Sequence, residues 1–455
     1  MPEESNPKWI KASPTKAFFI HMLTRDVPLT RAILDLIDNC IDGAIRERDG
    51  GKYDGLWVRV ELSRDEFRIA DNCGGIPVKI AREYAFRFGR PEDAQETSGS
   101  IGQFGVGMKR SFFKLGRYFS VESKASDSSF TLNVDVDKWM QHSDDERTSD
   151  WHFEFDSVAE NLTDVPSDAK GTIIEIKRLR DGVGDNFEVE QFCTRLADEI
   201  SAAHSLSMDR GLAISVNGIP IRHTPHNLLI STNLKPAFVQ KEYARTLIDG
   251  EATPPVKVKL YAGVSERSLH DGGWYIFCNG RLVLRADQTS TTVWGPAHNL
   301  RQYHPDYAYF RGFAYFDSDH AALLPWTTTK TGVDVDSKIY RMVQQEMIEI
   351  TRPVLDFLNR LERERRDREN GDSVDEPLQV EVKNAVETRA EGITIAQGFV
   401  APASFPRPTG PRYQKIQYTK RAELVEKVKK LLGVTTFTAV GEKTFDYYLE
   451  NKGED

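Results

Sequence analysis

Cysteine is scarce: the 455 residues hold four, Cys40, Cys73, Cys193 and Cys278. No two stand at the short spacing of metal ligands, which excludes a zinc site on pattern. So sparse a set points to a reducing compartment rather than a disulfide framework. Long hydrophobic runs are missing as well. No apolar stretch approaches the ~18 residues of a membrane-spanning helix, and Met1 to Lys11 is polar, without the apolar stretch of a signal peptide. Neither sign of charge dominates, with 60 Lys and Arg against 69 Asp and Glu and a formal net charge of −9. A uniformly basic, DNA-coating surface is thereby disfavoured, although a local basic patch is compatible with it. What is present is 39% hydrophobic and 28% charged residues, an ordinary globular composition in a chain long enough for two or three domains. The expectation is a cytoplasmic protein with no membrane association.

Periodicity divides the chain. Residues 17–48 read as two helical pieces, with Thr30 placed to cap the second. Val58, Val60 and Leu62 alternate with Arg59 and Glu61, the period of a strand. Further strands fit Phe67–Ala70, Tyr118–Ser123, Phe130–Val136 and Gly171–Lys177, with a helix near 187–204. This order predicts an α+β sandwich. A second unit is expected from about residue 211, after domain-size priors, opening on a hairpin through Asn217-Gly218. Strands at Val256–Ala262 and Trp274–Cys278, a second Asn-Gly turn at Asn279-Gly280, and a strand at Tyr307–Phe316 follow. Residues 337–366 are helical and end in the charge-dense run Arg360 to Arg368, read first as a solvated helix end. Residues 371–418, with Pro402, Pro406, Pro408 and Pro411, read as a linker or extended arm. In the tail, 419–455, Leu424, Val425, Val428, Leu431 and Leu432 fall on one helical face. The expected divisions are therefore 1–210, 211–350, a charged helix at 351–370, 371–418 and 419–455.

Four short elements carry chemistry. Along Ile33 to Ala44, ILDLIDNCIDGA, the residues Asp35, Asp38, Asn39 and Asp42 share one helical face, opposite the stripe of Ile33, Ile37, Cys40, Ile41 and Ala44. Solvent absorbs such an acidic face in most proteins, but the flanking apolarity predicts a buried helix, and a buried acidic face wants a cation. Asp71 to Ile76, DNCGGI, directly follows a strand and taken alone is a turn. Gly102, Gly105 and Gly107, in GQFGVGMK, allow a path that brings N–H groups to an anion, with a helix starting near Val106. This is not the Walker A pattern. Lys170-Gly171-Thr172 opens the strand Ile173–Ile176.

Together, in this order, the four elements resemble the GHKL or Bergerat-fold ATPases, among them gyrase, the ninety-kilodalton heat-shock chaperones, histidine kinases, MutL and MORC. The resemblance covers roughly residues 15–205 on domain size and implies a Bergerat-type α/β sandwich binding ATP and Mg²⁺. It places Asn39 on the metal and Asp35 as the general base for water. Asp71 would accept from the adenine amino group, with Gly75 and Ile76 beside the base and Thr172 supporting that end. Gly102, Gly105, Val106 and Gly107 would wrap the triphosphate, with Lys109 nearby, and Glu83 to Phe104 would hold the lid. Two positions depart from the family. Aspartate stands at 35 where the hydrolytic members have glutamate. Cys73 stands where glycine is usual, so that either the cysteine is strained or Gly74 takes the turn.

The second unit resembles the transducer domain of the gyrase, MutL and MORC branches. In that context Lys330, within PWTTTKTG, resembles the lysine that reaches the γ-phosphate. The function this implies is a slowly hydrolysing ATPase that dimerises on ATP as a clamp or switch, on DNA or a DNA-associated complex. The alternatives are a chaperone-like ATPase acting on a protein client, or a non-hydrolysing module, as in a bacterial defence system, that recruits a protein partner through 371–455.

Overall fold

The computed structural model describes residues 15–48, 51–89, 99–102, 105–141, 151–223, 225–244, 254–370, 376–402 and 416–452. Two compact units result: Met1–Leu361 with Val380–Ala403, and Glu362–Gln379 with Ser404–Asp455.

The first unit is built on an eight-stranded sheet. Its strands are β1 (Trp57–Leu62), β2 (Glu66–Asp71), β3 (Gly116–Lys124), β4 (Ser128–Asp135), β5 (Ser157–Glu160), β6 (Gly171–Leu179), β7 (Ala213–Val216) and β8 (Ile219–Pro220). They lie in the order β5-β4-β3-β6-β2-β1-β7-β8. Every pair is antiparallel except β1 with β7. Val58 and Val60 are fully buried while Arg59 and Glu61 are exposed, the alternation of a sheet covered on one face. The Asn217-Gly218 hairpin, read from the sequence as the opening of the second unit, is the edge of this first sheet.

Three helices position the site. The first two are α1 (Lys16–Arg25) and α2 (Leu29–Glu47). Pro28, not Thr30, precedes the first turn of α2. Its φ of −59° is already that of a helix, and its missing N–H is one that a first turn leaves unpaired anyway. Thr30 is buried inside α2. The third, α3 (Gly107–Leu115), packs on α2, and Ser111 Oγ donates to the Ala32 carbonyl at 2.7 Å. From Ala32 to Ala44 nearly every residue of α2 is buried, the carboxylates Asp35, Asp38 and Asp42 included. The helix expected near 187–204 is α4 (Glu190–Ala203).

A second sheet contains β10 (Ala237–Tyr243), β11 (Val256–Val264), β12 (Gly273–Cys278), β13 (Arg281–Asp287) and β14 (Phe310–Asp317) in the order β10-β11-β14-β12-β13. Its core is aromatic, with Phe277 stacked on Tyr315 at 4.8 Å between ring centres. Strand β14 starts later than the sequence suggests because Pro305–Tyr307 forms a 3-10 turn. Helix α5 (Lys338–Glu369) follows. Part of the expected linker is ordered: Pro377–Asn384 is helical (α6), and β15 (Val386–Arg389) pairs with β9 (Asn227–Ile230). Pro406, Pro408 and Pro411 lie outside the described residues.

In the second unit, α7 (Ala422–Leu432) ends at Gly433, whose φ of 64° terminates it, and α8 (Phe437–Lys452) follows. The expected apolar face of α7 is incompletely covered. Leu424 and Leu431 are exposed, while Val425, Val428 and Leu432 are half-buried. Among the described residues no helix is long and apolar enough to cross a membrane.

Candidate nucleotide site

A cavity of about 320 Å³ lies between α2, α3 and the loop at Lys330, within the size range of small-molecule sites. Asp35, Asn39, Asp42, Gly102, Gly105, Val106, Gly107, Lys109 and Lys330 all line it. Helix α2 and the glycine stretch are joined by Asp42. Its two carboxylate oxygens accept from Ile101 N at 2.6 Å and Gly102 N at 2.8 Å. Burial pushes the Asp42 carboxyl up, and these two backbone bonds with Lys330 and Arg46 oppose that rise. Gly102 must be small here, since a Cβ would stand 2.7 Å from Asp42 Oδ2.

Asn39 donates from Nδ2 to the Asp35 carbonyl at 2.9 Å, which leaves its carboxamide oxygen as the group it can offer a ligand. Asp35 is buried and pairs through Oδ2 with Arg110 Nη2 at 2.5 Å. Its Oδ1 is buried with no hydrogen-bond partner. Lys109 is almost fully buried and donates to the Ala85 carbonyl at 2.7 Å. Burial alone brings its amine down to about 7. Along the lining, Arg46, Lys79, Arg110 and Lys330 stand against Asp35 and Asp42, with Lys109 charged in part near neutral pH. That balance suits an anionic ligand.

Asp71 ends β2 directly opposite Thr172 on β6. It accepts from Cys73 N at 2.8 Å, and burial raises its carboxyl to about 6 against the hydrogen bonds of Cys73, Cys40 and Thr172. Ser123 Oγ accepts from Ile76 N at 2.7 Å and lies 3.1 Å from Thr172 Oγ1. Asp71, Gly75, Ser123 and Thr172 thus form one cluster. The cavity lining reaches Ile76 but does not include Asp71, Gly75 or Thr172. Arg46 links the two regions, lining the cavity and donating to the Gly75 carbonyl at 3.3 Å. The turn after Asp71 is taken by Gly74 and Gly75, with φ of 87° and 72°. Cys73 is not among the residues of positive φ, so the cysteine sits there without strain.

Lys330 lies in a loop closed by the Trp326–Val333 bridge. Arg31 donates to its carbonyl at 3.2 Å, and its ammonium donates to Asp38 Oδ2 at 2.7 Å. Sequence reading passed over Arg110, Arg46, Lys79, Tyr84, Ser123 and Thr328. Lys79 and Tyr84 flank or lie on the π-helical turn Ala81–Ala85, a feature frequent at functional sites but without a motif. Of the expected lid, 90–98 and 103–104 lie outside the described residues.

An α/β sandwich whose buried polar helix faces a glycine stretch across a cation-lined cavity is the architecture of a nucleotide-binding domain. Residues 27–172 match the family model described as histidine kinase-, DNA gyrase B-, and HSP90-like ATPase. The chain contains a GHKL-type ATPase domain, and that domain binds ATP. No curated protein matches the chain.

Proposed function

We propose that the cavity holds Mg-ATP and that the chain hydrolyses it slowly. The observation that supports this most is the convergence of Asp35, Asn39, the glycine stretch and Lys330 on one cation-lined cavity. The donors suit a magnesium that arrives with nucleotide: Asn39 offers one neutral oxygen beside carboxylates, and phosphates with water complete such a shell. The ion would draw charge from the phosphates. Gly102, Gly105, Val106 and Gly107 supply backbone to the phosphates, Lys109 supplies charge, and Lys330 reaches the terminal phosphate. Asp71, Gly75, Ile76 and Thr172 receive the adenine. Asp35 Oδ1, buried and without a partner, takes the proton of the attacking water.

Two features make that step slow. Aspartate is one methylene shorter than the family's glutamate, and a misplacement near 1 Å costs about 10²-fold. Arg110 also pairs with Oδ2 of that carboxylate and ties it down, so the shorter side chain cannot swing toward the water. The same pair favours a second reading, a nucleotide-gated module with no turnover. In the first reading Asp35→Asn leaves ATP affinity intact and stops phosphate release. Turnover persisting in that variant would place the base elsewhere. Asn39→Ala abolishes Mg-ATP binding, and unchanged affinity by calorimetry would sink the magnesium assignment.

The position of Lys330 at the cavity supports an ATP-driven switch; that it dimerises as a clamp, with DNA or a DNA-associated complex as its target, is what the resemblance to MutL and MORC implies. Turnover measured with and without DNA tests the target. Stimulation that vanishes at moderate salt is expected for phosphate contacts. The four cysteines, all free, suit the cytoplasm.

A further inference from the structure

Asp38 takes no part in the roles above, yet it is the most heavily compensated carboxylate beside the cavity. It is completely buried. Lys330 donates to Oδ2 at 2.7 Å. Arg281 Nη1 lies 3.1 Å from Oδ1, close enough for charge pairing although without the alignment of a hydrogen bond. Burial opposes ionisation of Asp38, but Arg281, Lys330 and His204 hold its carboxyl at about 2. Arg281 is itself completely buried, and its Nε and Nη2 have no hydrogen-bond partner. His204 is kept neutral, at about 3, first by burial and then by Arg281. One carboxylate therefore faces two buried cations.

The two cations are held differently. Arg281 follows the turn Asn279-Gly280, whose φ values of 46° and 76° are those of a tight two-residue hairpin. Asn279 clamps that tip, donating to the Ser100 carbonyl at 2.9 Å and the Ser318 carbonyl at 3.1 Å and accepting from Ser318 N. Lys330 sits on a separate loop, at the end of a flexible four-carbon stem, and it also lines the cavity.

We propose that Asp38 is the resting partner of Lys330, and that Arg281 is the fixed counter-ion that lets Lys330 leave Asp38 for a nucleotide's terminal phosphate. This rests on the reading of Lys330 as the terminal-phosphate contact. A buried carboxylate stripped of its sole partner is strongly unfavourable. Arg281 removes that obstacle, because Asp38 stays paired when Lys330 departs. Arg281 is thus a positioning residue for discrimination between tri- and diphosphate.

The test measures affinities of the full chain for a non-hydrolysable ATP analogue and for ADP by calorimetry, and reads their ratio. Lys330→Ala lowers the ratio. If it does not, the terminal-phosphate reading fails first. Given that drop, Arg281→Met lowers the ratio by about tenfold, a coupling of ordinary size between sites, and leaves ADP affinity near the parent's. Asp38→Asn, which frees Lys330 from its competitor, raises the ratio. The double variant Arg281→Met/Asp38→Asn regains at least the parent ratio, a rescue that a merely structural role for Arg281 would not give. An unchanged ratio in Arg281→Met overturns the proposal, as does a double variant no better than that single one. If Arg281→Met does not fold, Asp38→Asn decides alone, and an unchanged or lowered ratio overturns it.

Discussion

Burial sets the chemistry of single residues here, and Asp71 is the clearest case. The folded carboxyl keeps its proton to about 6, whereas its ordinary value is 3.8. Between those values the folded state binds more protons than the unfolded chain, so its contribution to stability is present below the lower value and is lost as pH rises through the upper one. Asp71→Asn, which keeps an acceptor for Cys73 N, removes that slope. Melting measured at about pH 4.5, inside the window, and about pH 7.5, above it, should show the variant gaining on its parent at the higher pH. Calorimetry of ATP binding by the parent should show affinity falling as pH drops through about 6, because an ionised carboxylate is the stronger acceptor for the adenine amino group. Affinity flat across that range would remove Asp71 from the adenine. Asp35, Asn39 and the glycines were legible because each motif is local: spacing along one helix or one loop brings them together. Asp38 was legible only as part of the same acidic face. Its partners, His204, Arg281 and Lys330, come from distant elements, so the sequence could not separate it from Asp35, Asn39 and Asp42.

Helix α2 is the organising element, and its link to the glycine stretch runs through one side chain. Asp42 holds Ile101 N and Gly102 N together, and charge-assisted bonds of this kind each contribute about 1.5–3 kcal/mol. Asp42→Ala should therefore lower stability by about 3 kcal/mol, seen as an earlier denaturant midpoint, and weaken ATP binding by at least about tenfold. Asp42→Asn, with one acceptor left, should fall between. Equal ATP affinity in all three proteins would mean that the glycine stretch does not depend on α2. Elements were readable from period and turn chemistry, and both Asn-Gly turns are present. What escaped was assignment: the 213–220 hairpin repeats the turn signal of the second sheet, yet its parallel pairing with β1 depends on a partner far back in the chain. The Arg360–Arg368 run likewise means less than its charge suggests. Glu362 pairs with Arg365 and Arg366, Glu369 with Arg365, and Glu376 with Arg368. Those arginines are already engaged, which lowers their value as a DNA-binding stripe.

For the whole molecule, the question is whether nucleotide binding joins two copies. Residues 1–14 lie outside the described residues, but α1 is described and has two unlike sides. Phe19 packs edge-on against Phe88 and Trp151, and Ile20 is buried. Phe18 and Met22, one turn apart, are 59% and 53% exposed, an apolar pair on one face that a second copy would cover. Two copies each of formal net charge −9 repel, so an association driven by apolar contact should strengthen as salt screens the repulsion. An association driven by ion pairs should weaken instead. Light scattering with a non-hydrolysable ATP analogue and magnesium should therefore show the mass doubling, more completely at 0.3 M than at 0.05 M salt, conditions chosen either side of a Debye length of about 10 Å. Phe18→Asp with Met22→Asp should abolish the doubling and lower apparent analogue affinity only by the part that dimerisation contributes. A mass that stays monomeric with analogue would refute the clamp. Doubling that survives both substitutions would keep the clamp and move its interface off α1.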